Sequence, residues 1–235
     1  NITTDALKTI IDRSKIILLA KRNERIRPGL DDKQLTSWNA LLIKGLTDAY
    51  ATFNDESFLT TAIRCADFIK EKVTTSEGRL MHSYKNGKAT VNGFLEDYAF
   101  VIEAFISLYQ VTFDEQWLHR ANEYIKICLD DFYDEDAGMF LFKSKQDESL
   151  FSINYETQDN VIPASNSALA RSLFSLGKYF GNLQYIQISN QMLNNVKSEF
   201  MRYPSAYSNW GLLLLHLTYP FYEVCICGND ALIKA

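Results

Sequence analysis

The sequence has little of what β-rich, membrane-spanning or nucleic-acid-binding proteins need. It contains 10 glycines and 4 prolines among 235 residues, too few for a turn-rich β-sandwich. No apolar run reaches the roughly 18 residues of a membrane span, and the run at residues 212–215 stops at His216. The net charge of −5 argues against nucleic acid, because phosphate binding needs clustered Lys and Arg. We therefore expect a soluble protein without membrane or nucleic-acid partners.

Cysteine is also scarce, and its four positions form no redox or metal motif. Cys225 and Cys227 make a Cys-x-Cys pair rather than the Cys-x-x-Cys spacing of redox and zinc sites, and no histidine lies nearby in sequence. Cys65 and Cys128 fall at core positions of predicted helices, where a free thiol behaves as a small hydrophobic group. We expect four reduced structural cysteines, no metal, no cofactor, and a reducing, cytoplasmic location.

What the sequence does contain is an internal repeat of helix pairs. Residues 37–69 align without a gap with residues 96–128, and each unit reads as two helices joined by a tight turn. Asp55 and Asp114 stand at the turn as N-caps of the second helices. The predicted helices cover residues 4–21, 35–53, 55–73, 165–180, 184–200 and 205–217, together with a second pair inside residues 96–128.

The two helices of each pair differ in polarity. The second helices repeat apolar residues at i, i+4, i+7, i+8 and i+11, a pattern typical of an amphipathic helix. The first helices, such as residues 40–53 and 99–109, are apolar nearly all round, which indicates burial on most sides. We therefore predict an inner row of first helices and an outer row of second helices.

Short extended segments connect one pair to the next. Residues 78–84 precede an Asn86-Gly87 dipeptide, which predicts a hairpin with a tight turn. A longer connection contains extended segments at residues 138–142 and 149–155. A simple helical solenoid lacks such insertions.

Three motifs stand out in the sequence. They are Arg-Pro-x-x-Asp-Asp-Lys-x-Leu-Thr-Ser-Trp-Asn at residues 27–39, Gly-Phe-Leu-Glu-Asp-Tyr-Ala-Phe at 93–100 and Pro-Ala-Ser-Asn-Ser at 163–167. These motifs resemble those of the family that contains spermatogenesis-associated protein 20 and its bacterial relatives, and the resemblance covers almost the whole chain. Members of this family carry an N-terminal thioredoxin-like domain and then a six-hairpin α/α-toroid, which is similar to N-acylglucosamine 2-epimerases and six-hairpin glycosidases.

The resemblance implies an all-α fold, a partial α/α-toroid of the six-hairpin glycosidase-like type with short β-hairpin insertions. Residues 1–235 would form a single helical-hairpin domain. Three pairs and two flanking helices fall short of six hairpins, and the chain begins with Asn1 rather than Met. We therefore expect a fragment of a longer chain, with a thioredoxin-like domain on its N-terminal side.

In such a toroid the loops that enter the inner helices line a central cleft, and all three motifs fall at those entries. Their carboxylates, amides and aromatic rings suit a polyol such as a carbohydrate ligand. The candidate catalytic residues are Glu96, Asp97 and Asp159. The candidate substrate-binding residues are Asp31, Asp32, Lys33, Trp38, Asn39, Tyr98, Ser165 and Asn166.

The acidic and hydroxyl candidates also have a structural interpretation. Asp31 or Thr36 can cap one inner helix, and Ser165 can cap another. Glu96 and Asp97 can be first-turn acids that the helix dipole favours.

The aromatic and amide candidates have structural interpretations too. Trp38 and Tyr98 can be core rings, while Asn39 and Asn166 can hydrogen-bond to loop backbone. The recurrence of polar clusters at the same end of three buried helices favours a site, because buried polar groups cost free energy unless they find partners.

The reaction stays open at this point. Glycoside hydrolysis needs two carboxylates about 5 to 10 Å apart, which Glu96 or Asp97 can supply with Asp159 or one of the acids at 31 and 32. Epimerisation next to a carbonyl needs an acid and a base, most often histidine. The sequence has three histidines, of which only His82, on the predicted hairpin, is considered as a residue that can face the cleft.

Two functional hypotheses follow. The first is a carbohydrate-active or carbohydrate-binding toroid domain of undefined reaction, either glycoside hydrolase-like or sugar epimerase-like. The second is a non-catalytic helical interaction module that accompanies a thioredoxin-like domain. A cleft with paired acids and perturbed pKa values favours the first, whereas an exposed apolar patch favours the second.

Overall fold

A computed structural model describes residues 2–147, 154–220 and 222. Most of the extended segment predicted at residues 149–155, as well as Cys225 and Cys227, lies outside the described residues. The chain separates into two compact units, residues 1–32 and residues 33–235. Whether residues 1–235 act as one domain stays a prediction.

The first unit contains one helix, α1 (Thr4–Asn23), which confirms the helix predicted at residues 4–21. It begins where the Thr3 hydroxyl accepts a hydrogen bond from the Ala6 amide at 3.3 Å. None of its residues is buried, so α1 gains its order from the cap and from local pairs such as Lys21 with Glu24.

The larger unit contains the three predicted helix pairs and the predicted final helix. The first helices are α2 (Thr36–Phe53), α4 (Leu95–Thr112) and α6 (Ser165–Tyr179). The second helices are α3 (Glu56–Phe68), α5 (Glu115–Asp131) and α7 (Leu183–Arg202), and α8 (Ser208–Thr218) closes the series. A π-helical turn, Ile69–Val73, extends α3, and a short 3-10 turn, Pro204–Ala206, precedes α8.

The inner and outer rows are confirmed. Helices α2, α4, α6 and α8 pack side by side in that order, and each of α3, α5 and α7 packs on the first helix of its own pair. Ile102 and Phe105 of α4 and Leu173 of α6 are fully buried. α2 departs from the prediction, because Leu42 and Phe53 on it are exposed. It stands at the end of the row, where its main inner-row contact is with α4 alone.

The predicted caps and the predicted hairpin are also confirmed. Asp55 and Asp114 each accept a hydrogen bond from the amide two residues later. Strands β1 (Gln34–Leu35), β2 (Met81–Lys85) and β3 (Lys88–Asn92) form an antiparallel sheet in that order. At the turn between β2 and β3, Asn86 and Gly87 have φ angles of 51° and 78°, the left-handed conformation that such turns need.

The sheet lies where the inner helices begin. β1 leads directly into α2 and β3 leads into α4, so the hairpin places its residues beside both helix starts. A smaller antiparallel pair, β4 (Tyr133–Asp134) and β5 (Met139–Phe140), follows α5 and includes part of the predicted extended segment 138–142. Among the described residues, every helix is too short or too polar to span a bilayer.

Candidate active site

The inner helices run parallel, so their starts meet at one end of the row. The Ser37 amide at the start of α2 donates to the Asp97 carboxylate at the start of α4, at 2.9 Å. At the other end, the Gln110 side-chain amide of α4 donates to the Tyr179 hydroxyl of α6, at 3.1 Å. The parts of the three sequence motifs that belong to the larger unit, residues 33–39, 93–100 and 163–167, therefore lie at the same end.

Asp97 holds the starts of two helices together. It is fully buried, and its Oδ1 accepts from the Ser37 amide of α2 while its Oδ2 accepts from the Phe94 amide just before α4, both at 2.9 Å. Burial raises the pKa of the Asp97 carboxyl, and the hydrogen bonds from His82 and the two amides oppose part of that rise. Asp97 is thus a first-turn acid, as one interpretation of the sequence held.

His82 of β2 is the third partner of Asp97. Its Nδ1 lies 2.9 Å from Asp97 Oδ2, and this hydrogen bond raises the pKa of His82. The imidazole packs edge-on against Phe94, with ring centroids 4.9 Å apart, and Phe94 stacks on Phe142 at 5.2 Å. The His82 side chain remains 20% exposed. The hairpin therefore delivers a fixed, partly exposed imidazole to the start of α4.

Glu96 lies beside this pair and is only partly buried. Its Oε1 accepts a weak hydrogen bond from the Ser37 hydroxyl at 3.4 Å. Burial raises the pKa of Glu96, and the charges of Asp97 and Glu156 raise it further. A carboxyl with a raised pKa keeps its proton closer to neutral pH, as a general acid requires.

Among the residues that the structure describes, His82, Glu96 and Asp97 form the group whose geometry admits a cation. Each offers one donor atom, and these atoms lie within 4.8 Å of one another. Both Asp97 oxygens, however, already accept backbone amide hydrogens. We interpret the cluster as a hydrogen-bonded acid–base group, and the absence of a metal stays a prediction.

The remaining candidates at the starts of α2 and α4 separate by exposure. Trp38 is 66% exposed and is not a core ring. Tyr98 is a core ring, 2% exposed, whose hydroxyl accepts from the Leu80 amide at 3.0 Å. The Asn39 amide donates to the Leu35 carbonyl at 2.8 Å, which is the backbone role considered from the sequence. Lys33, just before β1, opposes the rise in the pKa of His82.

Three candidate residues, Asp159, Ser165 and Asn166, lie at or just before the start of α6. The Asp159 carboxylate accepts from the Ala164 amide at 3.0 Å and from the Asn209 amide at 2.8 Å. Asn166 is buried and makes two hydrogen bonds of 2.9 Å to the backbone of Phe140. The Ser165 hydroxyl is buried without a hydrogen-bond partner among the described residues.

Two capping interpretations are wrong. Ser165 is the first residue of α6 rather than its N-cap, and its amide donates to the Glu156 carboxylate at 3.0 Å. Thr36 does not cap α2, because its hydroxyl donates to the Met81 carbonyl at 2.6 Å. In both helices a carboxylate from elsewhere in the chain accepts a hydrogen bond from a first-turn amide, Asp97 at α2 and Glu156 at α6. These carboxylates take the place of a local capping side chain. Asp31 and Asp32 belong to the first unit, so their role as substrate-binding residues stays a prediction.

The candidate residues chosen from the sequence omit three that the structure brings to the site. The Ser37 hydroxyl donates to Glu96, and the Glu156 carboxylate accepts from the Ser165 amide at the start of α6. His82, which binds Asp97, was considered only as a residue that could face the cleft. The Asn86-Gly87 turn was a signal for His82, because it fixes the hairpin register. Glu156 lies in an irregular segment, where no periodicity points to its neighbours.

An inner row of parallel helices with outer partners, and with acids at the inner-helix starts, defines part of an α/α-toroid of the six-hairpin glycosidase-like class. The chain belongs to the family described as Beta-L-arabinofuranosidase, GH127 catalytic domain, whose sequence model matches residues 12–209. This membership supports the prediction of a carbohydrate-active or carbohydrate-binding toroid domain of undefined reaction.

The chain is also homologous to the proteins that its motifs resemble. It is 26% identical to human spermatogenesis-associated protein 20 over 235 residues, which cover 96% of this chain and 30% of that protein. It is 31% identical to the Caenorhabditis elegans protein named Uncharacterized protein B0495.5 over 213 residues, 87% of this chain and 29% of that one. The chain thus spans less than a third of these relatives.

Solved structures confirm the toroid. A D-mannose isomerase aligns with a TM-score of 0.57 at 15% identity, over 70% of this chain and 40% of its own. A GH76 α-mannanase of Bacteroides thetaiotaomicron gives 0.59 at 17%, over 73% and 47%. Cellobiose 2-epimerase from Bacillus thermoamylovorans gives 0.57 at 17%, over 72% and 46%. The chain corresponds to less than half of each.

Proposed function

We propose that this chain supplies one wall of a glycoside-processing site, with Glu96 as the group that exchanges a proton with the sugar. The observation that carries the proposal is the position of Glu96, a partly buried carboxyl of raised pKa at the joined starts of α2 and α4. A general acid must hold its proton near working pH and reach the ligand. Membership of a family named for L-arabinofuranosidase catalysis supports a glycoside as the substrate class.

Glu156, rather than Asp97 or Asp159, is the second carboxylate that the geometry favours. Asp97 is fully buried, and both of its oxygens bind amides. Both Asp159 oxygens also accept backbone amides. Glu156 uses Oε2 for the Ser165 amide and lies near enough to Glu96 to raise its pKa. A pair of acids in one site is what glycoside hydrolysis requires.

Trp38 is proposed as the ring on which a sugar face packs. It follows Ser37 at the start of α2 and exposes two thirds of its surface. An exposed tryptophan contributes nothing to the core, whereas aromatic rings beside a few polar groups are typical of ligand sites.

The interaction module remains a second candidate, because the structure has an apolar groove between α7 and α8. Leu193 and Phe200 of α7 and Leu214 and Leu217 of α8 are among its lining residues. Such a groove suits a helix, which the rest of a longer chain or another protein would supply. The thioredoxin-like domain and the cytoplasmic location also stay predictions.

The test is calorimetric titration of the full-length protein with a panel of mono- and disaccharides, arabinosides included. We expect saturable binding that Trp38→Ala and Glu96→Gln each weaken about tenfold or more. Phe53→Ala removes an exposed ring from the other end of α2, and Glu115→Gln removes a first-turn acid from α5. Both control variants should bind as the unmodified protein does.

Absence of binding across the panel, with all variants folded, would contradict the proposal for those ligands. Equal weakening by the control variants would also contradict it, because the effect would then not belong to the inner-helix starts.

A further inference from the structure

His82 is held more firmly than a surface histidine on a hairpin needs to be. Its Nδ1 binds Asp97, one ring edge packs on Phe94, and Phe94 is itself stacked on Phe142. Fixing a side chain in this way costs conformational entropy, which the contacts with Asp97 and Phe94 offset here. The result is a single ring orientation at the start of α4.

This orientation fixes which nitrogen carries the proton. Asp97 Oδ2 accepts from the Phe94 amide and faces His82 Nδ1 at 2.9 Å. The imidazole is more basic than a carboxylate, so the proton of this bond lies on Nδ1. In the neutral ring, Nε2 is then a hydrogen-bond acceptor.

The second ring nitrogen, Nε2, takes no part in the contact with Asp97. Among the residues that the structure describes, it has no hydrogen-bond partner, and the side chain is 20% exposed. A Glu96 carboxylate oxygen and one of the two His82 ring nitrogens lie within 4.8 Å of each other, so the imidazole and the Glu96 carboxyl are neighbours. A polyol, which carries hydroxyls on neighbouring carbon atoms, can therefore contact both groups at once through hydrogen bonds of about 3 Å.

A structural role accounts for Nδ1 of His82 but not for the second ring nitrogen. Asp97 receives one backbone amide on each oxygen, and His82 Nδ1 adds a third donor. An asparagine on β2 would supply that third donor without a second ring nitrogen.

We infer that His82 is a ligand-contacting residue of the site, with Nε2 binding a sugar hydroxyl next to Glu96 and Asp97 acting as the positioning residue. The inference rests on the proposed function. It names an imidazole and a carboxyl as two neighbouring groups that bind one polyol. Lys33 is the charged group whose position opposes protonation of the ring.

Two substitutions separate the two nitrogens of His82. His82→Asn places an amide nitrogen where Nδ1 was, so it keeps the donor to Asp97 and deletes Nε2. His82→Gln places an amide nitrogen near the position of Nε2 and loses the link to Asp97. Each variant of the full-length protein would be titrated with the saccharide that binds best, beside Glu96→Gln, and its thermal unfolding measured.

We expect His82→Asn to unfold at the wild-type temperature and to bind the saccharide about tenfold more weakly. His82→Gln should unfold earlier and retain more of the affinity. A second readout needs no variant, because saccharide should shift the Nε2 resonance of His82 in nitrogen NMR while Nδ1 stays protonated.

The outcomes distinguish this inference from the proposed function. If the wild type binds and Glu96→Gln weakens binding, but His82→Asn binds normally or the Nε2 resonance does not move, the inference is overturned and the proposed function stands. If the wild type binds no saccharide, the proposed function fails and the inference fails with it.

Discussion

Asp97 accepts three hydrogen bonds while having no contact with solvent. A buried carboxylate is costly unless it is fully hydrogen-bonded. Here the donors come from α2, from β2 and from the residue before α4, so one side chain ties three elements together. Its neighbour Glu96 has one weak hydrogen bond to Ser37 and partial exposure. Two adjacent acids thus have different tasks, one structural and one proposed as chemical.

Replacement of Asp97 by alanine should therefore be strongly destabilising. Asp97→Ala leaves the amides of Ser37 and Phe94 and the His82 ring without their acceptor, and we expect a loss of about 3 kcal/mol in the free energy of unfolding. Urea denaturation followed by tryptophan fluorescence measures it. Glu96→Gln is the matched control and should change this free energy by less than about 1 kcal/mol. Equal effects of the two substitutions would contradict the division of roles.

At the scale of elements, the helix pairs depend on close approach. Gly177 of α6 faces α7, and an added Cβ would lie 2.6 Å from Ile186 Cγ1 and 3.1 Å from the Asn182 carbonyl oxygen. The glycine lets the turn and the second helix pack directly on the first. Where no neighbour approaches, as at Gly45 of α2, a glycine only adds freedom to the unfolded chain.

The two glycines consequently predict opposite effects of the same substitution. Gly177→Ala should lower the free energy of unfolding by about 1–3 kcal/mol, because Ile186 or the turn must shift. Gly45→Ala should raise it by about 0.5–1 kcal/mol through better helix propensity. Thermal and urea unfolding of both variants provide the comparison. A stabilised Gly177→Ala variant would show that α6 and α7 do not approach as described.

At the scale of the whole molecule, the core of the larger unit runs through all three pairs. Cys128 of α5 lies within it and is fully buried, whereas Cys65 of α3 is partly exposed. Burial raises the pKa of both thiols, and that of Cys128 well above its ordinary value. A thiol reacts as its thiolate and only when a reagent reaches it.

Alkylation should therefore report the cooperativity of this core. We expect iodoacetamide to modify Cys128 at least about 100-fold more slowly than Cys65 in the native protein, since Cys128 must wait for a core opening. The rates should become equal in concentrated urea. Peptide mass mapping distinguishes the two sites. Similar native rates would mean that α5 opens independently of the rest.

The sequence by itself determined the helices, their pairing and their two rows. Apolar spacing, the Asp55 and Asp114 caps and the Asn86-Gly87 turn act between neighbours in the chain, so they are readable without tertiary structure. The motifs also indicated the family and the end of the helices where polar groups gather. These features are local, and local physics suffices for them.

Only the tertiary structure decided which polar residues support the fold and which keep atoms available for a ligand. Asp97 and Asp159 carry the same functional group as Glu96, yet the backbone amides that occupy them come from residues distant in sequence or across a loop. The pairing of His82 with Asp97 spans a strand and a helix start. A hydrogen bond depends on distances of a few tenths of an ångström, and residue order alone does not specify such distances between separate elements.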